Sequence, residues 1–168
     1  MSIADMSANP HAHFLVDLAA VAARETLPRC RQTLDVEDKQ LRGVFDPVTI
    51  ADRAAEQALR ALINAHYPEH GILGEEFGAE RTDAEHVWVL DPVDGTRAFI
   101  SGLPVWGTLA GLTRHGRAVL GLMAQPFTGE LFCGDGERAW YTGPGGERAL
   151  KTRANGDLAR ATLMTTTP

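Results

Sequence analysis

Two aspartates, Asp91 and Asp94, stand three positions apart in the stretch DPVDGT, directly after the apolar run VWVL. Pro92 fixes one backbone angle and donates no hydrogen bond, and Gly95 lets the backbone approach a ligand closely. The stretch therefore offers two carboxylates and the carbonyl of Val93, a set of oxygen donors that suits a hard divalent cation. The same residues are also typical of a tight turn, so the stretch alone favours neither interpretation.

Three further acidic residues could join this site. Glu75 and Glu76 follow a predicted strand over 71–74, and Glu75 lies near Asp91 if that strand pairs beside VWVL. Asp52 falls in the first turn of a predicted helix and could point into the same space, although a capping box with Thr49 also explains it. Two glutamates at such a position are more often a solvated strand end. All these donors are oxygens, which favours magnesium or manganese over zinc.

A phosphate is the ligand that best fits the residues after the aspartates. Gly95 and Thr96 begin a segment long enough for one or two helical turns, and a helix N-terminus offers N–H groups to an anion. The chain has a net charge of −6. An acidic protein that binds a small phosphate would need metal ions to offset the charge.

The periodicity of apolar residues predicts an α+β fold that places these residues. Helical stripes run over 13–27 and 51–66, and residues 31–48 form a loop or an irregular hairpin. Strands are predicted over 71–74, 87–90 ending at Asp91, 108–116, 118–126 and 129–135, with a turn at 142–148 and a last strand over 161–168. The 168 residues are predicted to form a single domain, residues 1–168, a layered α/β sandwich with a mixed, largely antiparallel sheet.

Composition excludes several classes of partner. Apolar residues make up 44% of the chain and charged residues 23%, and no run of Lys or Arg exists, so nucleic acid is not an expected partner. Cys30 and Cys133 are far apart, which fits a reducing cytoplasm rather than a disulfide framework. No signal peptide is evident and no apolar run reaches membrane-spanning length, so we expect a cytoplasmic protein with no membrane partner.

Three motifs in order resemble those of the inositol monophosphatase superfamily of magnesium-dependent phosphatases. They are DPVTIADRAAE at 46–56, GEE at 74–76 and DPVDGTRAF at 91–99. RAF at 97–99, WGTL at 106–109, QPF at 125–127 and TTTP at 165–168 are similar to the histidinol-phosphatase branch. The resemblance implies Mg²⁺-dependent hydrolysis of L-histidinol phosphate in histidine biosynthesis. The alternatives are an inositol-1-phosphate or nucleotide 3′-phosphate phosphatase, or a truncated module without catalysis.

The resemblance also implies a role for each candidate residue. Those that bind metal would be Glu75, Asp91, the carbonyl of Val93, and Asp94. Glu75 and Thr96 would orient the attacking water, with Asp52 supporting the site. The amides of Gly95 and Thr96 would bind phosphate oxygens. The implied cofactor is Mg²⁺, with Mn²⁺ as a substitute, the implied partner is a small phosphorylated substrate, and the family suggests a homodimer.

The sequence departs from the family in its length. Family members are usually longer and contain a Trp-Asp motif whose Asp completes the second metal site. The three tryptophans here are followed by Val89, Gly107 and Tyr141. We therefore expect a chain that matches the N-terminal half of a longer phosphatase, with a natural short form as the alternative. Such a chain would bind a second metal weakly and expose apolar sheet surface.

Overall fold

An eight-stranded mixed sheet with two helices on one of its faces makes up most of the fold. The computed structural model describes residues 11–33, 36–38, 47–154 and 156–163. The helices are α1 (Ala12–Thr26), α2 (Ile50–His66) and the short α3 (Thr96–Ile100). A small antiparallel pair, β1 (Val36–Asp38) and β2 (Pro47–Thr49), precedes α2. The predicted α+β class is confirmed.

The large sheet is antiparallel except at one position. Its strands are β3 (Gly71–Gly74), β4 (Gly78–Glu80), β5 (His86–Asp94), β6 (Gly107–Arg114), β7 (Arg117–Gln125), β8 (Glu130–Gly134), β9 (Ala139–Gly143) and β10 (Gly146–Leu150). Their order is β10-β9-β8-β7-β6-β5-β3-β4, and only β3 and β5 run parallel. From β5 to β10 each strand pairs with the next in sequence, which agrees with the predicted, largely antiparallel sheet.

Several strands and turns differ from the prediction. β4 was not predicted, because three residues with two turns beside them show no alternating pattern. The predicted turn at 142–148 is a hairpin, in which β9 and β10 pair and only the connection near Gly146 is a turn. Residues 161–163 lack the predicted strand, and residues 164–168, including the TTTP stretch, lie outside the described residues, as do Asp46 and the start of its motif.

The core lies between one sheet face and the two long helices. Trp88 and Leu90 point to this face from β5, while Val89 between them is 39% exposed on the other face. The helices contribute their apolar stripes to the same core, with Leu15, Leu18, Leu59 and Ile63 fully buried. The inward-facing side chains, which recur every second residue in the strands and about every 3.6 residues in the helices, therefore pack against one another. No helix of the described ranges is both long and apolar enough to cross a membrane.

The opposite sheet face exposes apolar side chains, as the sequence predicted. Leu73 on β3 is 44% exposed, and Val89 on the neighbouring β5 lies directly across from it. Met123 on β7 is also exposed. Apolar groups that neighbour one another on an open sheet face favour association with another apolar surface.

A group of stacked rings closes the end of the core away from Asp91. The ring of His70 stacks on Tyr67 and on His86, with centroids 4.7 Å and 4.9 Å apart. The buried Nδ1 of His70 accepts a hydrogen bond from Nε1 of Trp88 at 3.1 Å. Burial, followed by the charges of His86 and His11, lowers the pKa of His70. Folding therefore favours the neutral form of this ring.

We expect acid to destabilise the protein through His70. Because the pKa is lowered in the folded state, the unfolded chain binds the proton more readily, and stability falls as the pH drops below about 6.5, by up to about 1.4 kcal/mol per pH unit. Urea unfolding at about pH 7.5 and about pH 5.5 measures this slope. His70→Asn, which keeps an acceptor for Trp88, should reduce the slope. His115→Asn on an exposed turn should not, and an unchanged slope in the His70 variant would contradict the assignment.

Candidate active site

The parallel pair β3–β5 brings two acidic residues to the same sheet edge. Gly74 and Leu90 are the last register partners of this parallel pair, so Glu75 and Asp91 follow side by side. The amide of Glu75 donates a hydrogen bond to the carbonyl of Leu90 at 3.2 Å, which extends the pairing one step beyond the strand. The structure thus brings Glu75 beside Asp91, as expected if these two strands pair.

A bulge in β5 separates the two aspartates of the motif. β5 continues to Asp94, whereas the sequence predicted that it ends at Asp91. The pairing with β6 shifts between these residues, so that Pro92 and Val93 together lie opposite Thr108. Pro92 has no N–H to donate to the ladder, and its carbonyl accepts the buried hydroxyl of Thr108 at 2.8 Å. Bulges bend a strand and re-aim its side chains, and they are frequent beside active sites.

Gly95 turns the chain from the bulge into α3. Its φ of 86° lies in the left-handed region, which costs glycine no Cβ clash. A Cβ here would also stand 3.3 Å from the carbonyl oxygen of Val105. The carbonyl of Gly95 accepts the amides of Ala98 and Phe99 at 2.8 Å and 3.1 Å, which starts the helix. Steric and conformational reasons thus both favour glycine at this position.

A second apolar cluster lies beneath the motif and anchors it. Its buried members are Cys30, Ala51, Val93, Phe99 and Trp106. Phe99 of α3 meets Trp106 edge to face with ring centroids 4.9 Å apart. The side chain of Val93 therefore points into this cluster while the neighbouring Asp94 is exposed. Packing on both sides of the bulge fixes the backbone that bears the acidic residues.

Asp52 both caps α2 and contacts the motif. One oxygen, Oδ2, accepts the amide and the hydroxyl of Thr49 at 2.8 Å and 2.6 Å, which confirms the predicted capping box. The hydroxyl of Thr96 lies 3.4 Å from Oδ1 of Asp52 and 3.0 Å from the carbonyl of Val93. The two explanations that the sequence left open for Asp52 are therefore compatible.

The carboxylates at this edge have like charges and lie close to one another. Burial, then the charge of Glu75 and a hydrogen bond to it, then the charges of Asp94 and Asp52, raise the pKa of Asp91 to about 8. Glu75 and Asp91 repel each other when both are ionised, and a proton held between them relieves that repulsion. The other oxygen of Asp91, Oδ1, is buried and has no hydrogen-bond partner within the described part of the chain.

These residues fit a divalent cation. A cation would replace the proton between Glu75 and Asp91, offset the repulsion from Asp94, and give the buried Oδ1 a partner. Across residues 11–33, 36–38, 47–154 and 156–163, no three His, Cys, Asp or Glu side chains form a metal site by themselves. A cation here would therefore need a further donor, such as the carbonyl of Val93, whose oxygen has a second lone pair beside its bond to Thr96.

Sequence reasoning missed two buried polar residues that support the site. Glu56 is fully buried on α2 and accepts the amides of Glu76 and Phe77 at 2.7 Å and 3.2 Å. A signal for it exists, because it shares a helical face with Leu59, where a solvated glutamate is not expected. Thr108 is also fully buried, but a Thr inside a strand pattern gives no comparable signal.

Comparison with known proteins agrees with these motifs. The sequence profile of the inositol monophosphatase family matches residues 8–168. The chain belongs to this family. Among similar proteins, the bifunctional phosphatase IMPL2 of Arabidopsis thaliana is 42% identical over 141 residues, which is 82% of this chain and 39% of the plant protein. The histidinol-phosphatase of Chlorobaculum parvum is 38% identical over 124 residues, 73% of this chain and 47% of that protein.

A solved structure of this family shows the same architecture. An inositol monophosphatase from Zymomonas mobilis superimposes with a TM-score of 0.70 at 39% identity, over 88% of this chain and 55% of that one. The chain therefore spans about half the length of these relatives.

Removing the charge of Asp91 should stabilise the metal-free protein. Its folded pKa is raised to about 8, so stability is lost as the pH rises from the unfolded value through about 8. In EDTA near pH 8, we expect Asp91→Asn to raise the free energy of unfolding by at least about 1 kcal/mol, which is less than one pKa unit of the shift and allows for solvent screening. The gain should vanish at acid pH.

A matched control has the opposite electrostatics. Burial raises the pKa of Asp135, but its hydrogen bonds lower this pKa by more. The donors are the amides of Arg138 and Glu137 and the side chain of Arg138. Asp135→Asn should therefore lose stability near neutral pH. Chemical unfolding of both variants at several pH values makes the comparison, and a loss of stability in Asp91→Asn near pH 8 would contradict the proposed crowding of charges.

Proposed function

We propose that this chain forms the metal-binding part of an Mg²⁺-dependent phosphate-monoester hydrolase. The observation that carries the proposal is the paired Glu75 and Asp91, with Asp94 beside them and a buried, unpartnered oxygen on Asp91. Repelling carboxylates at the edge of a rigid sheet are costly unless a ligand uses them. Glu75, Asp91 and the carbonyl of Val93 would bind one Mg²⁺, and Asp91 and Asp94 would share a second.

Bound metal would neutralise phosphate charge and lower the pKa of water, which is the chemistry that makes phosphate monoesters hydrolyse at useful rates. The residues of the chain then orient the reactants. The proton of Thr96 is directed to the carbonyl of Val93 or to Asp52, so the hydroxyl oxygen of Thr96 is left to accept a hydrogen bond. We propose that it accepts one from the attacking water, with Glu75 as a second acceptor.

The phosphate would lie against the turn that begins α3. Gly95 is exposed and has no side chain, so its backbone admits a phosphate oxygen closely. The amides of Gly95 and Thr96 are the proposed donors to that oxygen. The packing of Phe99 and Trp106 beneath them holds this turn in place, which avoids reorganisation when substrate binds.

L-Histidinol phosphate is the substrate that we propose. The stretches RAF, WGTL and QPF support it, and so does the 38% identity to a histidinol-phosphatase. The solved inositol monophosphatase at 39% identity favours inositol 1-phosphate as a second candidate. A nucleotide 3′-phosphate remains a third, and a non-catalytic metal-binding module is the alternative from another class. Both cysteines are free and buried, which fits the proposed cytoplasmic location.

Release of inorganic phosphate decides among these candidates. The chain would be assayed with L-histidinol phosphate, inositol 1-phosphate and a nucleotide 3′-phosphate, each with Mg²⁺ and with EDTA. Mg²⁺-dependent release from histidinol phosphate alone supports the proposal, and preferential release from another substrate moves the assignment within the family. No release from any substrate, together with unchanged Mg²⁺ binding in Asp94→Asn, would support the non-catalytic module.

Glu75→Gln should abolish most of the activity. The change removes a metal-binding charge and the acceptor for the proton of water, which predicts a loss of about 10² to 10⁴-fold in kcat. Asp91→Asn should be similarly impaired in activity. Glu147→Gln on the exposed strand β10 has the same chemistry far from the site and should retain wild-type turnover. Near-wild-type turnover in the Glu75 or Asp91 variant would refute the site assignment.

Calcium should inhibit the enzyme in the presence of magnesium. Ca²⁺ binds oxygen ligands with longer and looser coordination than Mg²⁺, so it would occupy the carboxylates and leave the reacting groups misplaced. We expect at least about a tenfold loss of rate when Ca²⁺ replaces Mg²⁺. Phosphate release measured in mixtures of the two cations tests this, and Mn²⁺ should instead sustain turnover. Equal rates with Ca²⁺ and Mg²⁺ would contradict the mechanism.

A further inference from the structure

The turn after β3 is bound by a buried carboxylate. The side chain of Glu56 is 0% exposed, and it lies one helical turn after Asp52 on α2. Its Oε2 accepts the amide of Glu76 at 2.7 Å, and its Oε1 accepts the amide of Phe77 at 3.2 Å. Charge-assisted bonds from two successive amides fix the backbone more firmly than neutral bonds do.

Arg60 neutralises this carboxylate and reaches the other side of the turn. Its Nε donates to Oε1 of Glu56 at 2.8 Å, and another guanidinium nitrogen donates to the carbonyl of Gly78 at 2.5 Å. A third contact, at 3.3 Å, joins it to Glu80 on β4. The pair Glu56–Arg60 therefore binds the whole connection between β3 and β4. A buried ion pair with its other hydrogen bonds satisfied is the arrangement that offsets the cost of burying charge.

The absence of a side chain at Gly74 leaves room for the carboxylate of Glu56. A Cβ at this position would overlap the carboxyl group of Glu56 and stand 2.7 Å from the guanidinium of Arg60. The backbone of β3 therefore passes closer to Glu56 than any other residue type allows. Glycine here is explained by the approach of a side chain, since its φ is not in the left-handed region.

The consequence falls on Glu75. Its own amide is bound to the carbonyl of Leu90, and the next amide, that of Glu76, is bound to Glu56. Peptide groups on both sides of Glu75 are thus held, although its side chain is exposed. Without such restraint the backbone could rotate and separate the two carboxylates.

We propose that Glu56 is a positioning residue, which holds the turn after β3 so that Glu75 stays beside Asp91 and both bind one divalent cation. The inference rests on the proposed function, because it takes Glu75 and Asp91 as cation ligands. Glu56 itself does not contact the cation and acts through the backbone of Glu75 and Glu76. Groups that orient a metal ligand typically change metal affinity or activity by 10 to 100-fold when they are altered.

Cation binding by Glu56→Gln tests the proposal without relying on catalysis. The substitution keeps the size of the side chain but replaces one of its two acceptor oxygens with an NH2 group, which cannot accept a hydrogen bond from a backbone N–H. Mn²⁺ affinity, measured from the signal of free Mn²⁺ in electron paramagnetic resonance, should fall about tenfold or more. The matched control is Glu25→Gln, which removes the same type of i, i+4 pair, Glu25–Arg29, from α1. Its Mn²⁺ affinity should equal that of the wild-type chain.

A measurement on the wild-type chain covers the case in which Glu56→Gln fails to fold. Coupling between two events is reciprocal, so if the held turn favours cation binding, the bound cation must hold the turn more firmly. Hydrogen exchange followed by NMR should show slower exchange of the Glu76 and Phe77 amides when Mg²⁺ is added. The amides of the β9–β10 hairpin should exchange at unchanged rates.

The outcomes separate the two proposals. Wild-type Mn²⁺ affinity in a folded Glu56→Gln variant overturns the positioning role and leaves the proposed function standing. Exchange at Glu76 and Phe77 that does not respond to bound Mg²⁺ overturns it in the same way. Failure of the wild-type chain to bind either cation overturns the positioning role together with the proposed function. Weaker binding in Glu56→Gln with unchanged binding in Glu25→Gln supports it.

Discussion

Repulsion between carboxylates at one sheet edge is the constraint on which the rest of the site depends. Glu75 and Asp91 follow the only parallel pair of strands in the described sheet, so backbone pairing forces them together whatever their charges prefer. The raised pKa of Asp91 is the consequence of burial first and of that enforced contact second. Such an arrangement persists only if the surrounding structure over-determines it, and here both flanking segments are restrained separately.

Each restraint uses a different interaction. The segment from Asp91 into α3 is restrained by the bulge in β5, by the bond from Thr108 to Pro92, and by the packing of Phe99 on Trp106. The segment after β3 has no apolar anchor of comparable size, since Phe77 is 45% exposed, and polar contacts to Glu56 and Arg60 restrain it instead. Hydrophobic burial fixes one carboxylate, and a buried ion pair fixes the other.

Motifs that bear the chemistry could be read from the sequence, whereas their supports largely could not. The strands β3, β5, β6, β7 and β8, the long helices and the capping box of Thr49 and Asp52 follow from local patterns that the structure confirms. The end of β5 was placed three residues early, because Pro92 is normally a reason to end a strand and the bulge that accommodates it depends on Thr108 from another strand. β9 and β10 were not predicted because both are short and flank a Gly-rich turn. They form strands by pairing with each other, which the local sequence does not indicate.

The helix α2 links both restraints through spacing alone. Asp52, Glu56, Leu59 and Ile63 recur at intervals of four, three and four residues and are all buried, so they lie on one face. The last two belong to the core, while Asp52 reaches Thr96 after β5 and Glu56 reaches the turn after β3. Leu59 and Ile63 fix α2 against the sheet, and this packing determines which segments Asp52 and Glu56 contact. Core packing thereby sets the distance between the two segments that bear the carboxylates, which is why a site built from short, exposed turns can be held as a unit.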